Sequence, residues 1–336
     1  MDSFPSRPPA GCARPLSLDS GLLPALRAIP GLTLRENTPL AQFTRFAIGG
    51  PADLMVETAD PDSFISAILA CRRSGVPFYV IGEGSNLVVS DAGFRGVVLR
   101  YISRNITAEG NLILADAGVE LQRLVDFAIA RGLAGLETLA GIPGSAGAAV
   151  YGNAGAYGHS ISERVARVEF FDGDSRREFS NAECCFEYRE SVFKKHKDWM
   201  ILRIRFELSP GDSAGLRRRA DEIMRVRNEK FPPAMKCAGS IFKNLLVANL
   251  PPGVVAEIPP QAIREGKVAS AFFLEQVGAK GLRRNGIQVA SYHANLIYNA
   301  GGGTAADLRA LIGDLRDRVF SRFGIRLEEE VQYLGE

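Results

Sequence analysis

Three short segments carry side chains able to do acid–base or charge-stabilising chemistry. They are FEYRESVFK, CAGSIFKN and LEEEVQYLG, with Tyr188, Arg189, Ser240, Asn244 and Glu330. A serine following a glycine invites a hydrolase reading, but GxSxG is absent and only His159, His196 and His293 are available to activate a hydroxyl. Ser240 is therefore better suited to donating a proton than to attacking carbon. Taken one at a time, Arg189 and Glu330 read first as a surface ion pair worth at most ~1 kcal/mol.

Two glycine-rich stretches offer backbone rather than side chains. In IGEGSNLVVS, Gly82, Glu83, Gly84, Ser85 and Asn86 follow the apolar strand PFYVI, and successive N–H groups freed from Cβ obstruction can turn toward one phosphate or pyrophosphate. A dinucleotide turn of the Rossmann kind needs a third glycine opening a helix, whereas Leu87, Val88 and Val89 continue as strand here. A tight β-turn without ligand is the competing reading. The second stretch, AGIPGSAGAAVYGNAGAYG, holds Gly141, Gly144, Gly147, Gly152, Gly155 and Gly158 among small residues and lets backbone approach something flat or bulky. Two such stretches favour a large cofactor. A P-loop is excluded, because Val268 follows Gly266 and Lys267 where Ser or Thr is required, and Gln261 stands where the first glycine should be.

The elements that must position these groups follow from pattern. At 336 residues the chain exceeds one small core and calls for two or three packed domains. A net charge of +2 gives no general field for nucleic acid or an anionic membrane, so any anion must be held locally. Arg217, Arg218, Arg219, Arg283 and Arg284 read as solvated faces. No apolar run reaches the ~20 residues of a membrane span, and the proline-rich start lacks the apolar core of a signal peptide, so a cytoplasmic location is expected. Five cysteines without CxxC fit reduced thiols, and three scattered histidines argue against zinc.

Residues 1–28 read as a loosely packed extension. DLMVET and PFYVIG are strands flanking the helix PDSFISAILACRRSG, and LVVS, GVVLRY, NLILADAG, VARVEFFD and WMILRIRFELSP are further strands around the helix LQRLVDFAIARG. Pro210 and Gly211 mark the preferred boundary. Beyond it, GLRRRADEIMRVRNEK is a helix stopped by Pro232 and Pro233, the stretch from Leu245 is an irregular insertion, and AFFLEQVGAKG is a short helix. In TAADLRALIGDLRDRVFSRFG, Leu308, Leu311, Ile312, Leu315, Val319 and Phe320 form one buried face.

In their order, NTPLAQFTRFAIGGPADLMVE, GEGSNLVVSDAGFRGVVLR, GLAGLETLAGIPGSAGAAVYGNAGAYG, YRESVFK, AGSIFKN and FGIRLEEEVQYLG resemble the UDP-N-acetylenolpyruvoylglucosamine reductase family, over nearly everything after residue 36. The branch resembled is the one lacking an extra tyrosine-bearing loop. The resemblance implies an α+β chain: a vanillyl-alcohol-oxidase-type FAD-binding fold in two subdomains, 29–100 and 101–210, followed by an α+β substrate-binding domain, 211–336. It implies NADPH-dependent, FAD-mediated reduction of UDP-N-acetylglucosamine enolpyruvate to UDP-N-acetylmuramate for peptidoglycan, by a monomer without nucleic-acid or membrane partners.

By the same resemblance Arg189, Ser240 and Glu330 are catalytic, with Ser240 the proton donor. Gly82, Glu83, Gly84, Ser85, Asn86 and Leu87 hold the pyrophosphate. Gly141, Ile142, Pro143, Gly144, Ser145, Gly147, Ala148, Gly152 and Asn153 lie along the flavin and adenosine, with Ile48 and Gly49 of the Arg45-bearing motif TRFAIGG near them. Tyr157, Tyr188, Lys243 and Asn244 are placed toward the UDP-sugar, and Arg227 toward a phosphate or carboxylate. The chain departs from the family pattern at Leu245 (usually proline), at Ala148 and Ala290, and in the length of 245–270.

Overall fold

The computed structural model describes residues 21–335. Its first layer is a four-stranded sheet in the order Thr33–Pro39, Pro51–Thr58, Phe94–Tyr101, Phe78–Val80, antiparallel at the first pairing and parallel at the other two. Seven of the eight residues of Pro51–Thr58 are buried, as expected of a strand covered on both faces. One cover is the helix Pro61–Ser74. Asp60 caps it by accepting the Ser63 N–H at 2.7 Å, Pro61 starts it, and Gly75 (φ 68) ends it in left-handed backbone. Leu22–Arg27, expected to belong to a loose extension, is also helical, and Leu22 and Leu26 are fully packed against this layer. Their apolar spacing outweighs the Pro and Gly around them; residues 1–20 of that expectation lie outside the described residues.

The second layer is a five-stranded antiparallel sheet, Arg176–Ser180, Val165–Phe171, Met200–Glu207, Leu112–Asp116, Ile106–Glu109. Burial alternates along Met200–Glu207 because one face packs on the helix Ala146–Tyr151 and the other is wetter. Helix Ser213–Lys230 belongs with this layer. Its buried Leu216 and Ala220 join the same core, Arg217 pairs with Asp126 at 2.7 Å, and Ser213 Oγ donates to the Ile129 carbonyl at 2.8 Å. Pro210 and Gly211 thus turn the chain within a domain: Ser209–Pro210 pairs with Leu133–Ala134, and the Gly211 N–H reaches the Gly132 carbonyl. The break comes at Pro232 and Pro233, where the helix ends.

The C-terminal module has its own core around helix Ala305–Phe323 and the strands Arg283–Arg284, Ile287–Val289 and Ile297–Asn299. Leu308, Leu311, Ile312, Leu315 and Val319 are buried as their spacing requires, but Phe320 is 45% exposed. Phe323 continues the stripe in its place, one turn after Val319, and Phe320 carries the Arg326 guanidinium on its ring. The stretch 245–268, expected to be irregular, builds a small sheet of Leu245–Leu246, Lys267–Val268 and Ile263–Arg264, with Leu250, Ile258 and Val268 inserted in the core. Among the described residues no helix is long and apolar enough to cross a membrane.

Several contacts fasten this module to the first layer, two of them at its last strand and long helix. Strand Gln332–Leu334 pairs parallel with Leu87–Val89, and the Asp91 carboxylate accepts the Ala305 and Ala306 N–H groups at 2.8 and 3.0 Å, at the positive end of the long helix. Asp91→Ala is expected to cost about 1–2 kcal/mol, read as a melting temperature lowered by a few degrees. Within the module, burial and then Lys230 hold the His293 imidazole neutral, its pKa pushed down to about 4. Its contribution is complete above the ordinary value near 6.5 and is lost as pH falls toward 4, because only the unfolded chain then binds the proton. Urea midpoints measured between pH 7 and 4 should fall across that window, and less so in His293→Gln.

Candidate active site

The strand Phe78–Val80 delivers loop 82–86 to the edge of the first layer. From behind, Arg100 fixes it: Nε donates to the Gly82 carbonyl at 3.2 Å, Nη2 meets Glu83 at 3.2 Å, and Nη1 holds Glu57 at 2.7 Å. Gly84 (φ 58) has no alternative residue, since a Cβ there would overlap the Phe43 carbonyl oxygen. The carbonyls of Gly84 and Asn86 also accept bonds from the protein, from Arg45 and Gln332. The five N–H groups of 82–86, by contrast, donate to no described residue. Carbonyls engaged and amides free are the requirements of an anion nest.

The second glycine-rich stretch lies directly against this loop. A Cβ built on Gly82 would sit 3.0 Å from Ser145 Oγ and 3.5 Å from Ala148 Cβ, and one on Gly144 (φ 124) would sit 2.9 Å from Ser85 Oγ. Backbone from two domains thus converges with small side chains and unpaired amides between, which fits the pyrophosphate of FAD. Other residues of the expected cradle have different work. Ser145 caps the helix Ala146–Tyr151, the Gly147 N–H is taken by the Ala117 carbonyl, and the missing Gly147 Cβ admits the Ala117 side chain at 2.7 Å. Gly141 N–H donates to Gln122 and Ile142 N–H to the Leu139 carbonyl. Gly152 N–H closes the helix on the Ala148 carbonyl, and Pro143 joins these turns to Gly144.

Ile48 and Gly49, expected beside the cofactor, each have a packing role as well. Ile48 is buried in the C-terminal core with its backbone bonded to Thr44 Oγ1, and a Cβ on Gly49 would meet Val89 at 2.7 Å. Asn153 (φ 42) is also structural in its side chain, which donates to the Glu187 carbonyl at 2.7 Å and accepts the Ser162 N–H. It thereby anchors the segment bearing Arg189.

The segments that carry the three proposed catalytic groups meet from distant parts of the chain. Asn86 Nδ2 donates to the Glu330 carbonyl at 2.8 Å while the Gln332 N–H returns to the Asn86 carbonyl at 2.9 Å, so the nest and Glu330 share one joint. The Glu330 N–H donates to the Ile241 carbonyl at 2.7 Å, and the Lys243 N–H to the Glu328 carbonyl, so the segment that follows Ser240 is paired antiparallel with the one bearing Glu330. Ser240 is half-buried, and its hydroxyl makes no hydrogen bond to a described residue. Arg189 (φ 59) directs Nε to Glu330 Oε1 at 2.8 Å, Nη2 to the Gly155 carbonyl at 2.8 Å and Nη1 to the Asn153 carbonyl at 3.4 Å. With side chains only 22% and 24% exposed, this is no surface ion pair.

A second feature is positive charge without counter-charge. Burial lowers the Arg227 pKa, Tyr157 faces it favourably, and Arg45 and Arg189 oppose it. Its Nε is buried with no hydrogen-bond partner, and its Cδ lies 3.3 Å from where a Gly141 Cβ would be. Lys230, which sequence reasoning passed over in RNEKFPP, is pulled down by burial and by Arg227. Among the described residues no carboxylate lies within 4 Å of Arg45, Arg227 or Lys230. Tyr157 itself is 55% exposed in left-handed backbone. The Tyr188 hydroxyl accepts the Asn244 N–H at 3.4 Å, and burial raises its pKa.

Lys243 departs from expectation. It is buried between Glu190, at 2.8 Å, and Glu328, while Lys194 also holds Glu190, so its charge is neutralised within the protein and serves to lock three segments together. Asn295 is a residue that sequence reasoning missed. Its buried amide accepts the Phe242 N–H at 2.9 Å and donates to the Phe242 carbonyl at 2.8 Å and to Ser270 Oγ at 2.7 Å, fixing the Ser240 segment from behind. The signal was a lone Asn between apolar residues in HANLI.

Comparison with known proteins bears on this arrangement. Residues 231–334 match the family model for the UDP-N-acetylenolpyruvoylglucosamine reductase C-terminal domain, and 52–178 the model for an FAD binding domain. The UDP-N-acetylenolpyruvoylglucosamine reductase of Solibacter usitatus is 59% identical over 310 residues, 92% of this chain and 99% of that protein. That of Carboxydothermus hydrogenoformans is 39% identical, with 90% and 94% covered. The crystal structure of UDP-N-acetylenolpyruvylglucosamine reductase from Thermus caldophilus superposes with a TM-score of 0.70 at 29% identity, covering 90% of this chain and 100% of that one. For the site's scaffold, Asn295→Ala would strand the buried Phe242 N–H, while the Phe242 carbonyl keeps the Ser270 hydroxyl at 3.2 Å, and is expected to cost about 2 kcal/mol, seen as a lower urea midpoint at unchanged slope.

Proposed function

This chain belongs to the UDP-N-acetylenolpyruvoylglucosamine reductase family, and on that premise we propose that Arg189, Ser240 and Glu330 carry its reaction. The protein is an FAD-dependent oxidoreductase that reduces UDP-N-acetylglucosamine enolpyruvate to UDP-N-acetylmuramate for peptidoglycan, with NADPH as hydride donor. The observation that carries the residue assignment is the partly buried Arg189–Glu330 contact, joined to the nest through Asn86 and backed by the pairing of Glu330 with Ile241, the neighbour of Ser240.

Bound FAD, recharged by NADPH, supplies hydride to the terminal carbon of the enolpyruvyl group. What remains for the protein is the negative charge that then spreads into the substrate carboxylate. Arg189 uses three N–H groups on protein acceptors and keeps the rest of its fork for that carboxylate. Glu330, bonded to Nε, fixes the plane of the fork and supports the enolate-like intermediate through it. A charge held in place before the reaction needs no reorganisation during it, which lowers such barriers by several kcal/mol.

The internal carbon must next receive a proton. Ser240 has no competing hydrogen bond among the described residues, and its hydroxyl is acidic enough because the carbanion is a far stronger base than an alkoxide. The cluster of Arg227, Arg45 and Lys230 supplies the positive field that an anionic nucleotide-sugar requires, and the nest 82–86 with Gly144 and Ser145 holds the cofactor pyrophosphate. Tyr188 and Asn244 hold the UDP-sugar.

Ser240→Ala should purify yellow and have its flavin bleached by NADPH at the unaltered rate, while UDP-N-acetylmuramate formation falls by about 10²–10⁴-fold. Full turnover in that variant, measured by product formation, would remove Ser240 from the mechanism.

A further inference from the structure

The insertion 245–268 takes no part in the steps above, and it ends in a hairpin that reaches the site. Strands Ile263–Arg264 and Lys267–Val268 pair with Arg264 opposite Lys267, and Leu245–Leu246 joins the free edge of Lys267–Val268. Glu265 (φ 50) and Gly266 (φ 70) both take left-handed backbone, as a two-residue turn of the I′ type requires, so the hairpin is short and stiff. Its tip meets the loop bearing Tyr157. A Cβ on Gly158 (φ 82) would lie 2.8 Å from Glu265 Oε1.

The side chain this turn presents to the site is Lys267. Its ammonium lies 4.5 Å from the centroid of the Tyr188 ring, the ring that also carries the Arg189 guanidinium at 5.2 Å and whose hydroxyl meets the Asn244 N–H. Among the described residues no carboxylate lies within 4 Å of Lys267, and the hairpin's own acid, Glu265, is turned against Gly158. The contrast with Lys243 is direct: one lysine is closed by two glutamates, while the other is half-buried on an aromatic face with its charge unanswered.

We propose that Lys267 binds the diphosphate of the nucleotide-sugar substrate, with the Tyr188 ring as the platform that sets its ammonium beside Asn244. The inference rests on the reading that Tyr188 and Asn244 hold that substrate. The substrate carries anions at two ends, the enolpyruvyl carboxylate and the diphosphate. Arg189 and its fork answer the first, and an ammonium on the Tyr188 ring adds to the charge of Arg227, Arg45 and Lys230 in answering the second. The diphosphate is also the chemistry of NADPH, so the test must separate the two.

In the FAD-loaded enzyme, Lys267→Met keeps the stem packed on Tyr188 and removes the charge, whereas Lys267→Arg keeps the charge. Lys267→Met should raise KM for UDP-N-acetylglucosamine enolpyruvate about tenfold while kcat changes far less, and should weaken UDP binding, measured by calorimetry, by a similar factor. Lys267→Arg should recover most of both losses. UDP binding requires no turnover, so it judges Lys267 even if the assignment of Ser240 fails. The proposal is overturned if Lys267→Met leaves KM and UDP affinity within about twofold, if only the KM for NADPH rises, or if the Met and Arg variants are equally impaired.

Discussion

The joint between Asn86 and Glu330 is the contact on which the rest of the site depends. A single side-chain amide donates across 244 residues of sequence to the Glu330 carbonyl, while the Asn86 carbonyl receives Gln332. Parallel pairing of Gln332–Leu334 with Leu87–Val89 extends this into a short ladder. The loop that offers free amides and the carboxylate that aligns Arg189 are therefore parts of one rigid unit, although they belong to opposite ends of the chain. Aspartate could not replace Asn86, because a carboxylate cannot donate to a carbonyl. The unit also has to hold Arg189 in left-handed backbone, which costs a non-glycine residue on the order of 1–2 kcal/mol. Three bonds from the guanidinium, and Lys194 on the Arg189 carbonyl at 2.9 Å, offset that strain.

The second constraint is electrostatic and follows from the first. Once Arg189 is committed to Glu330, Arg45, Arg227 and Lys230 remain gathered with no acid within 4 Å among the described residues. Burial drives the pKa of Arg227 and Lys230 down, meaning that the protein alone solvates these charges poorly. An anion entering the cluster recovers the missing interaction, and an unpartnered Arg227 Nε gains its acceptor at the same time. A chain of net charge +2 can thus bind a multiply charged nucleotide without a general positive field. Selectivity comes from where the cations sit relative to the reacting carbon.

Much of this was legible in the sequence where local chemistry decides. The Asp60 to Gly75 helix announces its own cap, start and stop, and the continuation of Leu87–Val89 as strand ruled out a dinucleotide turn. Order and content of the motifs identified the family. What failed was tertiary. Pro210 and Gly211 look like a boundary but only turn the chain toward a helix whose Leu216 and Ala220 return to the same core. Phe320 fits a buried stripe by type, yet Phe323 takes the place on the helix face. Lys243 has the charge of a ligand and the neighbours of a lock, and only the folded positions of Glu190 and Glu328 distinguish the two.

The glycines make the same division sharper. Their density in two stretches pointed to a cofactor, but the reason for each absent Cβ differs. Gly84 yields to the Phe43 carbonyl, Gly49 to Val89 and Gly147 to Ala117, so these positions are required by protein packing whether or not a ligand is bound. Gly82 and Gly144 instead face Ser145, Ala148 and Ser85 across the gap between domains, where the neighbours are small and the amides of 82–86 are unpaired. A methyl group on the first kind of glycine must disturb the fold. At Gly82 it would fill space between the loops, since the closest atoms are side-chain ends, whereas at Gly144 the left-handed backbone (φ 124) adds its own strain. Glycine in a cradle is thus two signals superimposed, one for bringing the walls together and one for keeping the gap open, and composition reports only their sum.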